Sequence, residues 1–365
     1  VQDIAIDIGD FNRVFIGTVG GGVWKNNDRA IFFDEAEYDL DDNNTPQDVA
    51  SDEDRRAVLA EFAQFLLAHP NLTVEVQGHT DSVGDAVSNQ TLSENRANEV
   101  ADHLKLAGIA ASRIIITAAG EDRPIVPNNL PSEGSPAGTA PPTPENRRVE
   151  LIVNYWEPLT DNFPSLSIKS IAISPWDNAG NPVTATTLTS KLVIYAGTGS
   201  ASSSAFSNRP ETSIGLLRST NGGKTWQILS EGLPPDVAVN AIEFARSATG
   251  EPVLLVGTDG FRPGGSGLFR SLIGGATFDD DTFTDLGRSG AFPLDRIVTD
   301  IVVDSLNRTN VFVGVPSPGA GQLNRGIYFS SDGGASWSPR NGADPTVLLA
   351  KLDDVKQIYL TMSQT

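Results

Sequence analysis

The sequence predicts a multidomain protein: an all-β host of antiparallel four-stranded units, interrupted by one α+β segment of order βαβαββ. Three observations predict this. A strand pattern recurs four times, with Gly and Asn/Asp punctuation between strands. Between residues 30 and 154 the periodicity changes to alternating helix and strand. The residues on either side of that change read as two halves of one hairpin. Gly21-Gly22-Val23-Trp24-Lys25-Asn26-Asn27-Asp28 run towards a turn that does not close, and Trp156-Glu157-Pro158-Leu159-Thr160 supply the missing half. The expected division is therefore 1–29 (three strands of the first unit), 30–154 (the insert) and 155–365 (the host continued).

Each host unit starts with an alternating apolar strand: Asp3 to Asp7, Ser170 to Ser174, Ala241 to Phe244 and Asp300 to Asp304. A second strand ends in a small residue: Val14 to Thr18, Val193 to Thr198, Leu254 to Thr258 and Val311 to Gly314. A third opens on Gly: Gly22-Val23-Trp24, Gly215-Leu216-Leu217, Gly267-Leu268-Phe269 and Gly326-Ile327-Tyr328. Units of this kind cannot bury their faces alone, so self-similarity at this spacing implies radial or linear stacking.

The turn after the third strand is the most specific part of the unit. Ser219-Thr220-Asn221-Gly222-Gly223-Lys224-Thr225-Trp226 and Ser330-Ser331-Asp332-Gly333-Gly334-Ala335-Ser336-Trp337 share S-x-[DN]-x-G-x-[ST]-W, and Ser271 to Phe278 is a worn copy. An Asx side chain ties the turn backbone, Gly supplies positive φ, and the aromatic packs between units. This resembles the Asp-box (BNR repeat) of sialidase-like and related β-propellers. The resemblance implies a structural role for Ser219, Asn221, Gly223, Trp226, Ser330, Asp332, Gly334 and Trp337 on the blade periphery. Five repeats begin, counting an incomplete unit from Leu348 to Leu360, so an incomplete ring with blades beyond residue 365 is expected. A sialidase needs an arginine cluster and a Tyr nucleophile with an acidic partner. The arginines here are scattered, so no catalytic residue is assigned and the chain is not expected to be an enzyme.

In the insert, Ile31 to Asp34 reads as a short strand, and Ser51 as the N-cap of a helix carrying Asp52, Glu53 and Asp54 in its first turn. Val58, Phe62, Phe65 and Leu66 form its apolar stripe, and Pro70 ends it. Leu72 to Gln77 alternates as a strand, a second helix covers roughly Asn89 to Leu106 before Gly108, and Ile114 to Thr117 and Arg148 to Val153 are two more strands. Helices on one face of a mixed sheet are expected, with the two ends adjacent as an insertion into a hairpin requires.

The insert also carries a motif: Gly78-His79-Thr80-Asp81-Ser82-Val83-Gly84, then Asn89-Gln90-Thr91-Leu92-Ser93-Glu94-Asn95-Arg96-Ala97, Val100, Leu104, Gly108, Arg113 and Asn146-Arg147-Arg148-Val149-Glu150. It resembles the OmpA C-terminal-like family, whose members bind peptidoglycan non-covalently. The resemblance implies recognition of diaminopimelate in the stem peptide, with Asp81 and Arg96 as principal ligand-binding side chains and Arg147 as a further contact. The resemblance also implies that Thr80, Gly84, Asn89, Leu92 and Ser93 belong to the same site. The residues agree with that implication. Leu92, Arg96, Val100 and Leu104 step by four, placing a guanidinium beside an apolar stripe where it needs a partner or a ligand. An acid and a fork-shaped cation match the ammonium and carboxylate at the free end of diaminopimelate. The competing reading is a structural Asp81–Arg96 ion pair with no ligand.

Composition narrows the classes. At 365 residues, 39% hydrophobic, with 35 Gly and 23 Pro, the chain suits a turn-rich β protein. A formal charge of −20 argues against nucleic acid and against anionic membrane surfaces, and no apolar run is long enough to insert directly in a membrane. With no Cys there are no disulfides or thiolate metal sites, and the three histidines, His69, His79 and His103, form no metal pair or triad. Asp39-Leu40-Asp41-Asp42-Asn43-Asn44 starts like a calcium loop but lacks the Gly and Glu such a loop needs, so neither metal nor cofactor is expected. Leu130 to Glu145 reads as a long Pro-, Gly- and Ser-rich loop. The chain starts at Val1, and both ends look cut from a longer protein.

The expected function is non-catalytic attachment of a larger bacterial, extracytoplasmic assembly to peptidoglycan, the propeller serving as spacer or as platform for an unidentified protein partner. The alternatives are a carbohydrate-active propeller enzyme held at the wall, which an acidic pair facing the central cleft would favour, and a structural component of a secreted or phage-tail-like particle.

Overall fold

A computed structural model describes residues 1–7, 9–40, 46–128, 142–163, 167–199, 213–229, 231–234, 237–259, 267–272, 282–292, 297–315 and 326–339. Four antiparallel four-stranded sheets follow one another along the chain, and a fifth, mixed sheet interrupts the first. Sheet I begins with β1 (Asp3–Ile6), β2 (Val14–Thr18) and β3 (Gly22–Asn26). The chain then departs through β4 (Arg29–Phe32), α1 (Pro46–Ala68), β5 (Val74–Gly78), α2 (Ala86–Leu106), β6 (Ile114–Ala118) and β7 (Arg148–Ile152). It returns as β8 (Trp156–Pro158), which pairs with β3 through Trp24↔Pro158, Lys25↔Glu157 and Asn26↔Trp156. A salt bridge of 3.1 Å between Lys25 and Glu157 links the same two strands.

Sheet II comprises β9 (Ile168–Asp177), β10 (Leu192–Thr198), β11 (Leu216–Ser219) and β12 (Gln227–Leu229). Sheet III comprises β13 (Val239–Arg246), β14 (Pro252–Thr258), β15 (Leu268–Leu272) and β16 (Thr284–Asp285). Sheet IV comprises β17 (Asp300–Val303), β18 (Val311–Val315), β19 (Gly326–Ser330) and β20 (Ser338–Pro339). Strand alternation gives each sheet two faces, and in sheets I to III one of them packs on the next sheet in sequence. Phe15 and Val23 of sheet I meet Ile171 and Leu217 of sheet II, Tyr195 and Leu216 meet Ile242 and Phe269, and Leu255 and Leu268 meet Ile301 and Tyr328.

The mixed sheet has strand order β4-β7-β5-β6, with β5 and β6 parallel and the other pairs antiparallel. One face carries Val74, Val76, Val149 and Leu151, which bury Val58, Phe62 and Leu66 of α1 and Val100 and Leu104 of α2. No described helix is long and apolar enough to cross a membrane.

Three local expectations need correction. Helix α1 begins at Pro46, so Ser51 is not its N-cap; Pro suits the first helical turn, where the N–H it lacks has no partner anyway. The first strand of the insert runs Arg29–Phe32 rather than Ile31 to Asp34, because Arg29 already pairs with Leu151. Helix α2 starts at Ala86, three residues before Asn89, where Asp85 caps the N–H groups of Val87 and Ser88. The acidic residues 41–44, most of the Pro-rich segment (residues 130–141), the end of the worn turn (residues 273–278) and the unit Leu348 to Leu360 lie outside the described residues.

Candidate functional site

The motif residues gather where β5 ends against the start of α2. Gly78 lets helix and sheet close, since a Cβ there would lie 1.8 Å from the Ser93 carbonyl oxygen. The chain leaving β5 is then pinned: the His79 N–H donates to Arg148 O at 2.8 Å, and the Thr80 N–H to Gly120 O at 2.8 Å. Asn89 donates through Nδ2 to Asp81 O at 3.2 Å and to Glu121 at 2.5 Å, while the Gly120 N–H donates to Ser93 Oγ at 3.0 Å. Asn89 and Ser93 thus hold the loops around the site. Leu92 is half-buried on α2, and Gly84 adopts φ +98° in the connection.

Asp81 is buried. One carboxylate oxygen accepts from the Val83 N–H at 3.3 Å, and the other accepts from the Thr143 N–H at 3.0 Å and lies 3.7 Å from Arg147 Nη1. Asp81 and Arg147 are therefore brought together. Arg96 is placed differently from the expected joint grip with Asp81. Its guanidinium is fully buried and donates to three backbone carbonyls: Nε to Glu37 at 2.7 Å, Nη1 to His79 at 3.0 Å and Nη2 to Asp34 at 2.9 Å. It also lies 5.3 Å from the centre of the Phe33 ring. Burial lowers its pKa to about 10, Arg147 adds repulsion, and Asp81 and Glu37 partly offset both. Arg96 is thus a positive charge beneath the site and a clamp on the chain at 34, 37 and 79.

Among the described residues, several buried polar atoms around Asp81 have no hydrogen-bond partner: Thr80 Oγ1, Ser82 Oγ, Arg147 Nε and both ring nitrogens of His79. Unsatisfied buried groups are costly, so a cluster of them calls for a partner such as water, an ion or a ligand. Burial lowers the His79 pKa, and its Nε2 lies 3.7 Å from Glu150. Burial works against the Glu150 charge, but His79 and Arg148 outweigh it and hold that carboxyl at about 2. Together the Asp81 carboxylate, the Arg147 fork and two hydroxyls suit a small group carrying both charge signs. Of these, Ser82 was not assigned from sequence, although it stands inside the motif beside Asp81. Among the described residues no group of three or more His, Asp or Glu could hold a metal ion.

The host turns repeat one hydrogen-bond pattern. Ser219 Oγ accepts from the Gly223 N–H at 2.8 Å, Asn221 Oδ1 accepts from the Thr225 N–H at 2.9 Å, and Trp226 Nε1 donates to Gly223 O at 3.0 Å. Ser330 accepts from Gly334 at 2.8 Å, Asp332 from Ser336 at 2.9 Å, and Trp337 donates to Gly334 O at 3.0 Å. These residues are committed to the turn, and Gly223 and Gly334 adopt φ +90° and +82° there.

A separate cavity of about 500 Å³ lies among β1, β9, β13 and β17 and carries Asp3, Glu243, Asp300, Lys169 and Arg308. Burial pushes the Glu243 carboxyl up to about 7, against the Phe244 N–H and Arg308, and Asp300 and Asp3 add repulsion.

Residues 32–136 match the family model of the OmpA family. The chain carries an OmpA-like domain. Over 92 residues it is 42% identical to the outer membrane porin F of Pseudomonas fluorescens, and over 90 residues 38% identical to the peptidoglycan-associated lipoprotein of Legionella pneumophila. Each alignment takes in 25% of this chain, which covers 26% and 46% of those relatives. Among solved structures, the peptidoglycan-associated lipoprotein of Burkholderia pseudomallei matches 35% of this chain and 90% of its own, at 25% identity and TM-score 0.26.

Proposed function

We propose that the OmpA-like domain holds this protein non-covalently on peptidoglycan, by the diaminopimelate tip of the stem peptide. Asp81 takes the ammonium, and Arg147, with Thr80 and Ser82, takes the carboxylate. Arg96 supplies charge from beneath and fixes the loops. The observation that carries this reading is the cluster of unsatisfied buried groups beside the Asp81–Arg147 pair. The name of the Legionella relative points to the same polymer. The remainder of the chain is read as blades of an Asp-box β-propeller, split at its first outer hairpin, that presents a protein partner in the bacterial envelope. The test is sedimentation with purified sacculi. Wild type should pellet with diaminopimelate-type but not lysine-type peptidoglycan, and Asp81→Asn should stay in the supernatant. Failure of wild type to pellet removes the reading, and pelleting of Asp81→Asn moves the site elsewhere.

One observation favours a second reading, that of a carbohydrate-active enzyme. The cavity between the sheets holds a carboxyl raised to about 7 near two other acids, as paired carboxylates do in glycoside hydrolysis. Release of reducing ends from peptidoglycan glycan by wild type, abolished in Glu243→Gln, would favour it; equal and negligible release by both removes it.

A further inference from the structure

The cavity among the four sheets gathers acceptors. Strands β1, β9, β13 and β17 each stand at the end of their sheet's strand order, so four strand edges line it. Side chains already answer two groups of those neighbouring segments. Asp3 accepts from the Ile171 N–H at 2.8 Å, and Asn240 Nδ2 donates to Val298 O at 2.7 Å. The second bond fixes the Asn240 amide, because only its NH2 end can give a proton to a carbonyl. Its Oδ1 is thereby left buried, and among the described residues it has no hydrogen-bond partner. A buried acceptor of this kind calls for a donor, from water or from a ligand.

Three carboxyls share the cavity with that oxygen: Asp3 of sheet I, Glu243 of sheet III and Asp300 of sheet IV. They repel one another, since Asp300 acts against the charge on Asp3, and both act against the charge on Glu243. Arg308 offsets Glu243 in part, while Lys169, the other cation at the wall, is drawn to Asp259. The surplus is negative. Among the described residues no group of three or more acids or histidines could hold a metal ion, so a point charge does not fit. Acceptors spread around about 500 Å³ suit a longer cation that carries several N–H donors and no acceptor, as an ammonium or a guanidinium does.

We infer that this cavity binds an organic cation, an alkylammonium or guanidinium group held by the Glu243 and Asp300 carboxylates, with one N–H given to Asn240 Oδ1. Two sources supply such a group: a free diamine, or a basic side chain on a peptide of a partner protein. The inference is independent of peptidoglycan binding. It also asks the opposite of Glu243 from the glycan-cleaving reading, because a general acid must carry its proton whereas a cation is held by the carboxylate.

The probes are cadaverine for a free diamine, the tripeptide glycyl-lysyl-glycine for a peptide side chain, and glutarate for an anion. Each is titrated calorimetrically into the 365-residue chain carrying Asp81→Asn, because Asp81 is itself read as an ammonium site. Cadaverine or the tripeptide should bind, and glutarate should not. Binding of cadaverine alone assigns the free diamine and binding of the tripeptide alone the partner's side chain; either bears the inference out. Glu243→Gln should weaken the cation on the order of tenfold, as loss of one charge-assisted hydrogen bond does. Arg308→Met removes the competing cation and should tighten it, which keeps the test decisive if Glu243→Gln folds poorly. Affinity should also rise from about pH 6 to about pH 8 as Glu243 ionises, facing Asp3 of β1, Lys169 of β9, Asp300 of β17 and Arg308 beyond it. No binding of either cation, preferential binding of glutarate, or an affinity unchanged in folded Glu243→Gln or in Arg308→Met overturns the inference.

Discussion

Glu61 of α1 accepts a hydrogen bond from the Thr189 N–H at 2.7 Å, across 128 positions of sequence, and a second from the Ser190 N–H at 2.9 Å. Burial opposes the Glu61 charge, but the two N–H groups and Arg29 outweigh it and lower its pKa. Arg29 also donates to Thr189 Oγ1 at 2.6 Å, and Leu188 packs against the core of the OmpA-like domain. The inserted domain is thereby fixed to the loop before β10. Glu61→Ala should destabilise the protein by about 1.5–3 kcal/mol, the usual range for hydrogen bonds to a charged group. Urea unfolding checks the loss, and peptidoglycan sedimentation at low temperature should be unchanged.

Asp81 and Arg96 should separate binding from stability. Asp81→Asn keeps an acceptor for only one of the Val83 and Thr143 N–H groups and turns its own amide N–H towards the other, so it should abolish binding at a cost of about 1 kcal/mol in stability, well below that of the Arg96 variant. Arg96→Met strips three carbonyls of their donor and should cost about 3 kcal/mol or more. Sedimentation and urea unfolding on both variants check this; a stable Arg96→Met that has lost binding would make Arg96 a direct ligand contact.

The pH dependence of stability has two opposed limbs. The Glu243 carboxyl is raised to about 7, so its contribution is fully present below the ordinary glutamate range and is lost as pH climbs to about 7. The loss is on the order of 2–3 kcal/mol, given partial exposure of the side chain. The Glu150 carboxyl is held at about 2, so its contribution is present above the ordinary range and is lost as pH falls towards 2. Unfolding midpoints from pH 3 to pH 8 (roughly the span of these titrations) should show both limbs. Glu243→Gln should flatten the upper one and Glu150→Gln the lower.

At the host turns, Asp332 accepts from the N–H groups of Ala335 and Ser336 and from Ser336 Oγ at 2.5 Å. Asp332→Ala should cost about 1–3 kcal/mol. Gly223→Ala should cost a similar amount, about 1–3 kcal/mol, because φ there is +90° and the added Cβ would meet Leu159 at 2.4 Å. Both are read by thermal unfolding, and neither should alter peptidoglycan sedimentation.

Much of this was legible because strand alternation and turn chemistry are local. The sequence alone implied the closure of β3 on β8, the repeated strands and the Ser–Asx–Gly–Trp turns. The start of α1 was misread because Asp52, Glu53 and Asp54 imitate a first turn, while Pro46, an equally good start, stands behind an acidic run. The position of Arg96 on α2 followed from spacing by four, but the reach of its fork to Asp34, Glu37 and His79 depends on loops whose paths no periodicity encodes. Glu61 gave no signal at all: a glutamate beside an apolar stripe reads as solvated until a distant N–H is brought to it. The acids around the cavity were hidden for the same reason, since Asp3, Glu243 and Asp300 come from three different sheets.

The two crossings at Asn26 and Trp156 have a mechanical consequence. A domain hung on one linker swivels, and its tether peels away rung by rung. Here any tug on the inserted domain draws β3 and β8 in the same direction. The load falls as shear across the rungs between β3 and β2, which must give way together. Torque is resisted as well, so the protein is built to stay put under strain rather than to trail on a leash.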